Sequence, residues 1–349
     1  MQSASRPERR RDKAQRHSAP AGCFFWYNIC MPAKDKIRVG ILRGGDEENY
    51  HSSLGKGGEI ISYLHDNLLH KYRPIDILVD KEGVWHAKGV PIMPVELLHK
   101  VDVVWNLSHQ RFSNILESFS IPVIGVPPFA PFFRESREML RKNMKKLGIG
   151  MPRHIVLPLY QEDFDLPSPR LRQGTAAQQK KEYAIRKAKE VFQKFSSPWI
   201  VKSYTSDRNM GIHLAKTFPE LVNSIEDGVM HGKSILVEEF IAGKVATVHS
   251  VPGFRGQEIY TFPFGTSFGI FSDEEKRTLA TMAKKLHDHT GSRHYLKSDF
   301  ILTPRGKVYL LYLEHEPDLK PDSHFTQVCE QIGAKTHHVI EHILEHAMK

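Results

Sequence analysis

Acidic side chains gather near the carboxyl end of the chain in two adjacent segments, residues 298–302 and 309–319. A turn at Thr303-Pro304-Arg305-Gly306 separates them, so the pattern predicts a β-hairpin. Alternation along its strands places one set of polar side chains on a single face: Asp299, Tyr312, Glu314 and Glu316. Crowded carboxylates need a cation, and Mg²⁺ bound through carboxylates and nucleotide phosphates would supply it. An exposed hairpin with solvated acids is the alternative.

Two further segments carry residues suited to binding a nucleotide. Lys202 ends an apolar strand and precedes the small, polar loop 203–211, whose donors could bind phosphate oxygens. The apolar segment 235–243 ends in two acids and a glycine, so it could form one wall of a base pocket in which Glu238 accepts from an exocyclic amine. A solvated strand-end lysine and an ordinary strand end are the respective alternatives.

The elements that would position these residues fall into two halves. From Lys36 to a proline-rich junction at 126–131, apolar strands alternate with helices, and the first helix is predicted near Gly58–His70. This alternation predicts an α/β domain with a parallel sheet. Ligands bind such sheets at the carboxyl ends of the strands. The candidates there are Gly44, Gly45, Ser53, Asn106 and His109. The second half mixes strands and helices in an order typical of α+β architecture.

Composition limits the function classes. The chain has 349 residues with 40% hydrophobic and 26% charged residues, which is typical of a globular protein. No run approaches the roughly 18 apolar residues of a membrane span, and three cysteines are too few for a disulfide framework, so we expect a cytoplasmic location. The net charge is +9, of which +4 lies within residues 1–30. This suits a protein that handles anionic substrates; we expect no specific nucleic-acid binding, and an RNA-binding tail is the minor alternative.

The order of these motifs resembles the ATP-grasp ligases, most closely the D-alanine–D-alanine ligases, from about Lys36 to Lys349. Gly44-Gly45 and Ser53 match the first family motif, and residues 103–109 match its strand ending in histidine. The lysine strand and glycine of the phosphate loop match Lys202 and Gly211, and the carboxyl-terminal motifs match Asp299, Pro317 and Ser323.

The resemblance implies a role for each matching position. Arg137, Lys202 and Arg208 would bind phosphates, Glu238 and Ile241 would contact adenine, and Asp299 and Glu314 would hold Mg²⁺. Lys297 would stabilise the transferred phosphoryl group, while Ser53 and Ser323 would anchor the substrate.

The implied active site also departs from the family pattern. Tyr312 stands where the family has a metal-bridging glutamate, Glu314 replaces an asparagine, Val245 replaces the ribose-binding glutamate, and Arg137 replaces a phosphate-binding lysine. The active site is therefore a divergent one.

The sequence as a whole predicts four parts: a disordered basic tail (1–34), an amino-terminal α/β domain (35–130), a central ATP-grasp lid subdomain (131–245) and a carboxy-terminal subdomain with the metal site (246–349). The implied function is an ATP- and Mg²⁺-dependent carboxylate–amine ligase acting through an acyl phosphate on a small amino acid or peptide. A nucleotide-binding homologue without ligase turnover is the alternative, and a homodimer is possible.

Overall fold

The computed structural model describes residues 35–45, 50–125, 137–160, 175–204, 210–263 and 270–349. The predicted basic tail therefore lies outside the described residues. Three sheets follow one another along the chain, and we call them the amino-terminal, central and carboxy-terminal sheets.

The amino-terminal sheet has the strand order β4-β3-β2-β1-β5-β6. Its strands are β1 (Ile37–Gly44), β2 (Tyr72–Val79), β3 (Trp85–Ala87), β4 (Val90–Ile92), β5 (Val103–Asn106) and β6 (Val123–Gly125). The apolar strands β2, β1, β5 and β6 pair in parallel, as the alternation with helices predicts. The helices of this part are α1 (Tyr50–Leu68), a 3₁₀ helix (Pro94–His99) and α2 (Gln110–Ser118).

The central sheet is antiparallel with the order β7-β10-β8-β9. Its strands are β7 (His154–Leu157), β8 (Trp199–Ser203), β9 (Ile212–Ala215) and β10 (Ile235–Glu239). Helix α3 (Arg137–Lys146) precedes it, and helices α4 (Ala176–Lys194) and α5 (Phe218–Met230) share one apolar core with its strands. This core forms because both helices place aliphatic residues at helical spacing on the face toward the sheet.

The carboxy-terminal sheet is antiparallel with the order β12-β11-β13-β14. Its strands are β11 (Lys244–Pro252), β12 (Ile259–Thr261), β13 (Leu296–Leu302) and β14 (Val308–Glu314), and a short 3₁₀ helix (Phe254–Gly256) joins the first two. The helices here are α6 (Asp273–His289), α7 (His324–Gln331) and α8 (Thr336–Ala347). None of the described helices is both long and apolar enough to cross a membrane.

Two shared cores tie the sheets to their neighbours within the compact unit Lys36–Lys349. Val39 and Ile60 of the amino-terminal part pack in one core with Phe325 of α7 and Val339 of α8. Leu140 of α3 instead packs in the core of the carboxy-terminal sheet. The first helix of the central part is thus anchored on the next sheet.

Most predicted elements are present, but several differ from the sequence prediction; the short strands β3 and β4 and the two 3₁₀ helices, for example, were not predicted. Helix α1 begins at Tyr50 rather than near Gly58, so its first turns contain glycines. One of them is required by packing, because a Cβ at Gly57 would lie 2.6 Å from the side chain of Arg43. Strand β7 and helix α7 were not predicted, since each is short and follows a proline-containing segment. The four-part domain division itself stays a prediction.

Candidate active site

The face of the β13–β14 hairpin carries a cluster of charged residues. Lys297 pairs in register with Glu314, and Asp299 pairs with Tyr312, as alternation along the strands predicts. The Lys297 ammonium lies 3.3 Å from Glu314 Oε2 and 3.7 Å from Asp299 Oδ2. The predicted catalytic lysine and both predicted metal ligands therefore lie side by side.

A second lysine contacts this cluster from a helix of the amino-terminal part. Lys56 of α1 places its Nζ 2.7 Å from Glu314 Oε1 and 2.9 Å from Glu316 Oε2. Burial disfavours the charged form of each group, but the charges outweigh it. Attraction to Glu316 and Glu314 raises the pKa of Lys56, and attraction to Lys56 and Lys297 lowers the pKa of Glu314. We call Lys56, Lys297, Asp299, Glu314 and Glu316 the hairpin cluster.

Lys56 is a residue that sequence reasoning missed. Its signal was its spacing, because it lies one helical turn after Ser53 on the side of α1 that faces inward. The sequence prediction missed this spacing because it placed the start of the helix after Lys56.

The donor set of the hairpin cluster fits Mg²⁺ only with help from a ligand. Asp299 Oδ1 accepts a hydrogen bond of 2.6 Å from Thr247, and its register partner Tyr312 offers a phenol, a weak ligand for a hard cation. Within the described residues, no group of three or more histidine, cysteine or acidic side chains is arranged to hold a metal ion. Two carboxylates completed by nucleotide phosphates are a usual arrangement for Mg²⁺, so Asp299 and Glu314 suit a nucleotide-bound ion.

A second charged cluster lies in the central sheet. Glu238 of β10 is buried, and its Oε2 lies 2.7 Å from the Lys202 ammonium of the neighbouring strand β8. Its Oε1 accepts from the Arg137 guanidinium at the start of α3. Three residues predicted to bind the nucleotide are thus brought together, and we call them the Glu238 cluster. Because both Glu238 oxygens are held by cations, an adenine amine would have to share one of them.

Helix α3 links the two clusters. Its Leu140 and Met144 pack in the core of the carboxy-terminal sheet, which carries the hairpin cluster. Its first residue, Arg137, reaches Glu238 in the central sheet. Arg137 is therefore carried by a helix that packs on the carboxy-terminal sheet, while its guanidinium pairs with an acid of the central sheet.

The remaining predicted residues have structural partners or lie elsewhere. Ser53 is buried, and its hydroxyl accepts a 2.9 Å hydrogen bond from the N–H of Gly44, a residue with a φ of +85°. Ser323 caps helix α7 and donates a 2.7 Å hydrogen bond to the Asp318 carbonyl. Ile241 is partly buried after β10, and Arg208 lies outside the described residues.

A histidine pair behind Lys297 was also missed by sequence reasoning. His249 is the register partner of Lys297, and its ring nitrogens lie 2.7 Å from the Tyr295 hydroxyl and 2.7 Å from His324 Nδ1. Burial, together with the nearby His324 and Lys297, lowers the pKa of His249 well below its usual value. His324 directly follows Ser323, so this neutral chain connects the core to the predicted substrate anchor.

The chain is similar to known ligases in both sequence and structure. The chain is 25% identical over 341 residues to the D-alanine–D-alanine ligase of Halalkalibacterium halodurans, covering 90% of this chain and 100% of that protein. No family model matches it. Among solved structures, the VanG D-Ala:D-Ser ligase from Enterococcus faecalis superposes with a TM-score of 0.63 at 16% identity, covering 90% of this chain and 100% of that chain. The ATP complex of the Bacillus anthracis D-alanine–D-alanine ligase gives 0.59 at 18% identity, covering 89% and 97%.

These likenesses define the fold class first: the chain has the ATP-grasp fold, preceded by a parallel-sheet amino-terminal part. More narrowly, the chain is similar to D-alanine–D-alanine ligases over nine-tenths of its length. The fold and the resemblance predicted from the motifs are confirmed.

Proposed function

We propose that the protein is an ATP-dependent carboxylate–amine ligase that acts through an acyl phosphate. The observation that carries the proposal is the pair of charged clusters joined by α3. The Glu238 cluster holds Arg137 and Lys202, and the hairpin cluster holds Lys297 with Asp299 and Glu314. A triphosphate needs the first set of cations, and phosphoryl transfer needs the second.

In the proposed reaction a substrate carboxylate oxygen attacks the γ-phosphorus of ATP, and ADP leaves. An amine then attacks the acyl carbonyl, inorganic phosphate leaves, and the nitrogen loses a proton. Lys202 and Arg137 would exchange part of their contact with Glu238 for phosphate oxygens. Lys297, held beside two carboxylates, would neutralise the charge on the phosphoryl oxygens.

Asp299 and Glu314 would hold Mg²⁺ together with the nucleotide phosphates. When bound, the ion would neutralise phosphate charge and so assist the departure of ADP. Thr247 holds the Asp299 carboxylate through its 2.6 Å hydrogen bond to Oδ1, and Oδ2 lies 3.7 Å from the Lys297 ammonium.

The substrates in this proposal are small amino acids or a short peptide. The relatives are D-alanine–D-alanine ligases, and one structural neighbour is a D-Ala:D-Ser ligase, so D-alanine is the first amino acid to test. Ser53 and Ser323 would meet the substrate at the amino ends of α1 and α7, where helix dipoles favour a carboxylate. A cytoplasmic location belongs to the same proposal.

A nucleotide-binding protein without ligase turnover is the second candidate. It is favoured by Tyr312 beside Asp299 and by the ion pairs that already occupy both oxygens of Glu314. The two candidates differ in turnover and agree on nucleotide binding.

The experiment that separates them is ADP release with ATP, Mg²⁺ and amino acids. We expect release that depends on D-alanine or another amino acid, with a dipeptide mass appearing in step. Lys297→Met should abolish it, while Lys307→Met on the turn of the same hairpin should not, since Lys307 lies over the Tyr309 ring outside the cluster. Binding of an ATP analogue without ADP release from any amino-acid mixture would leave only the second candidate.

A further inference from the structure

The hairpin cluster is nearly balanced in charge before any ligand binds. Its three carboxylates belong to Asp299, Glu314 and Glu316, and its two ammonium groups belong to Lys56 and Lys297. One negative charge remains uncompensated. A site of this kind attracts one divalent cation far more than two, because a second ion would add repulsion to four positive charges already close together.

Lys56 compensates the acids in a specific way. It lies between Glu314 Oε1 and Glu316 Oε2 at 2.7 and 2.9 Å, as an ion bridging two carboxylates would. It is carried by α1, whose inward face is packed in the core, so the ammonium is supplied by a rigid element. The opposite oxygen of Glu314, Oε2, faces Lys297 at 3.3 Å, and Asp299 Oδ2 lies 3.7 Å from the same ammonium.

The cluster therefore has two sides. On one side, Lys56 bridges Glu314 and Glu316 and compensates one of their two negative charges. On the other side, Asp299 Oδ2 and Glu314 Oε2 share Lys297, whose flexible stem can turn toward a phosphate. On this second side, the carboxylate oxygens of Asp299 and Glu314 can exchange Lys297 for an incoming metal ion.

We propose that Lys56 is a built-in cation that takes the place of a divalent ion at Glu314 and Glu316, so that the protein binds a single divalent cation with its nucleotide. This inference rests on the proposed function, since it concerns the same site. It assigns a charge-compensating role to a lysine outside the predicted site and fixes the metal stoichiometry of the ligand complex.

The test is a Mn²⁺ titration of the full chain, with free Mn²⁺ measured by electron paramagnetic resonance. It is performed with and without a non-hydrolysable ATP analogue. We expect the native protein to bind one Mn²⁺ per chain in the presence of the analogue. Lys56→Met should bind two, and it should also bind Mn²⁺ at least tenfold more tightly than the native protein without nucleotide, because Glu314 and Glu316 then lose the ammonium that bridges them.

A matched control comes from the far side of the amino-terminal part. Lys71 also bridges two glutamates, lying 2.6 Å from Glu341 and close to Glu345, away from the hairpin cluster. Lys71→Met should keep the native stoichiometry, and Lys56→Arg should retain it because the cation is kept. A thermal melt adds a second measurement: millimolar Mn²⁺ should stabilise Lys56→Met more than either Lys71→Met or the native chain.

Two results would overturn the inference. One is two Mn²⁺ per chain in the native protein, which needs no variant and so does not depend on whether Lys56→Met folds. The other is an unchanged Mn²⁺ count and affinity in folded Lys56→Met. Failure of the ligase proposal looks different, because it is an absence of ADP release with the metal counts as expected.

Discussion

Replacing Glu238 by glutamine tests the structure of the Glu238 cluster directly. The side chain is 3% exposed, while its partners Arg137 and Lys202 are 13% and 20% exposed. Glutamine keeps the shape and removes the charge, leaving two largely buried cations without a counter-ion. Removing one partner of a buried ion pair costs about 3–5 kcal/mol. Because both cations retain some access to water, we expect a loss of about 3 kcal/mol in the free energy of unfolding, at the lower end of that range.

The next residue of the same strand supplies the control. Glu239 pairs with Arg153, which is 52% exposed, and such surface pairs contribute about 0–1 kcal/mol. Glu239→Gln should therefore cost about 1 kcal/mol or less, although the two substitutions are chemically identical. Urea unfolding of both variants and the native chain measures the difference, provided that the denaturant slope is unchanged.

A double-mutant cycle extends the measurement. Lys202→Met leaves Glu238 on Arg137, so its cost and that of Glu238→Gln should not add, with a coupling of about 0.5–3 kcal/mol. An ATP analogue should recover more stability in Glu238→Gln than in the native protein, since the triphosphate supplies the missing negative charge. Equal stability losses in Glu238→Gln and Glu239→Gln would refute this account of the cluster.

Three further outcomes are expected. Lys297→Met should lower the ADP-release rate about 100-fold or more while the ATP analogue still binds, because only the charge at the transferred group is lost; equilibrium binding and turnover measure the two effects. Burial lowers the pKa of His287 to about 4 and of His294 to about 3, so both stay neutral in the folded chain as the unfolded chain takes up protons. Above about pH 6.5 these two groups therefore do not reduce the unfolding free energy. As the pH decreases from about 6 to 4, they should lower it by about 2.7 kcal/mol per pH unit, and His294→Gln should show a shallower slope. Burial raises the pKa of the Cys329 thiol to about 12, so it should resist alkylation at pH 8 until the chain unfolds, as peptide mass spectrometry would show.

The order of elements could be predicted because period and length carry it. The strands around Ile37, Val103 and Trp199 are apolar runs between polar loops, and helix α6 begins at its capping serine, Ser272. The same reasoning placed Asp299, Tyr312 and Glu314 on one face of the hairpin, since a two-residue period fixes which side chains are neighbours.

What the sequence could not predict is pairing between distant elements. Lys56 and Glu314 are 258 residues apart, and Arg137 and Glu238 are 101 residues apart, so no local period relates them. The glycines around Lys56 also concealed the start of α1. Apart from proline, glycine has the lowest intrinsic helix propensity, and here packing against the core outweighs that low propensity. The spacing of the acids predicted that the carboxylates need a cation. The fold shows that Lys56 supplies one.

In both clusters, a buried or partly buried acid pairs with a cation from a distant segment of the chain. Glu238 of the central sheet pairs with Arg137 of a helix packed on the carboxy-terminal sheet. Glu314 of that sheet pairs with Lys56 from the amino-terminal part. A nucleotide that engages Arg137, Lys202 and Lys297 must therefore exchange existing ion pairs for new ones, rather than neutralise free cations. Its affinity is then the difference between two large electrostatic terms, so substitutions at the acids should alter nucleotide binding as strongly as substitutions at the cations that touch it.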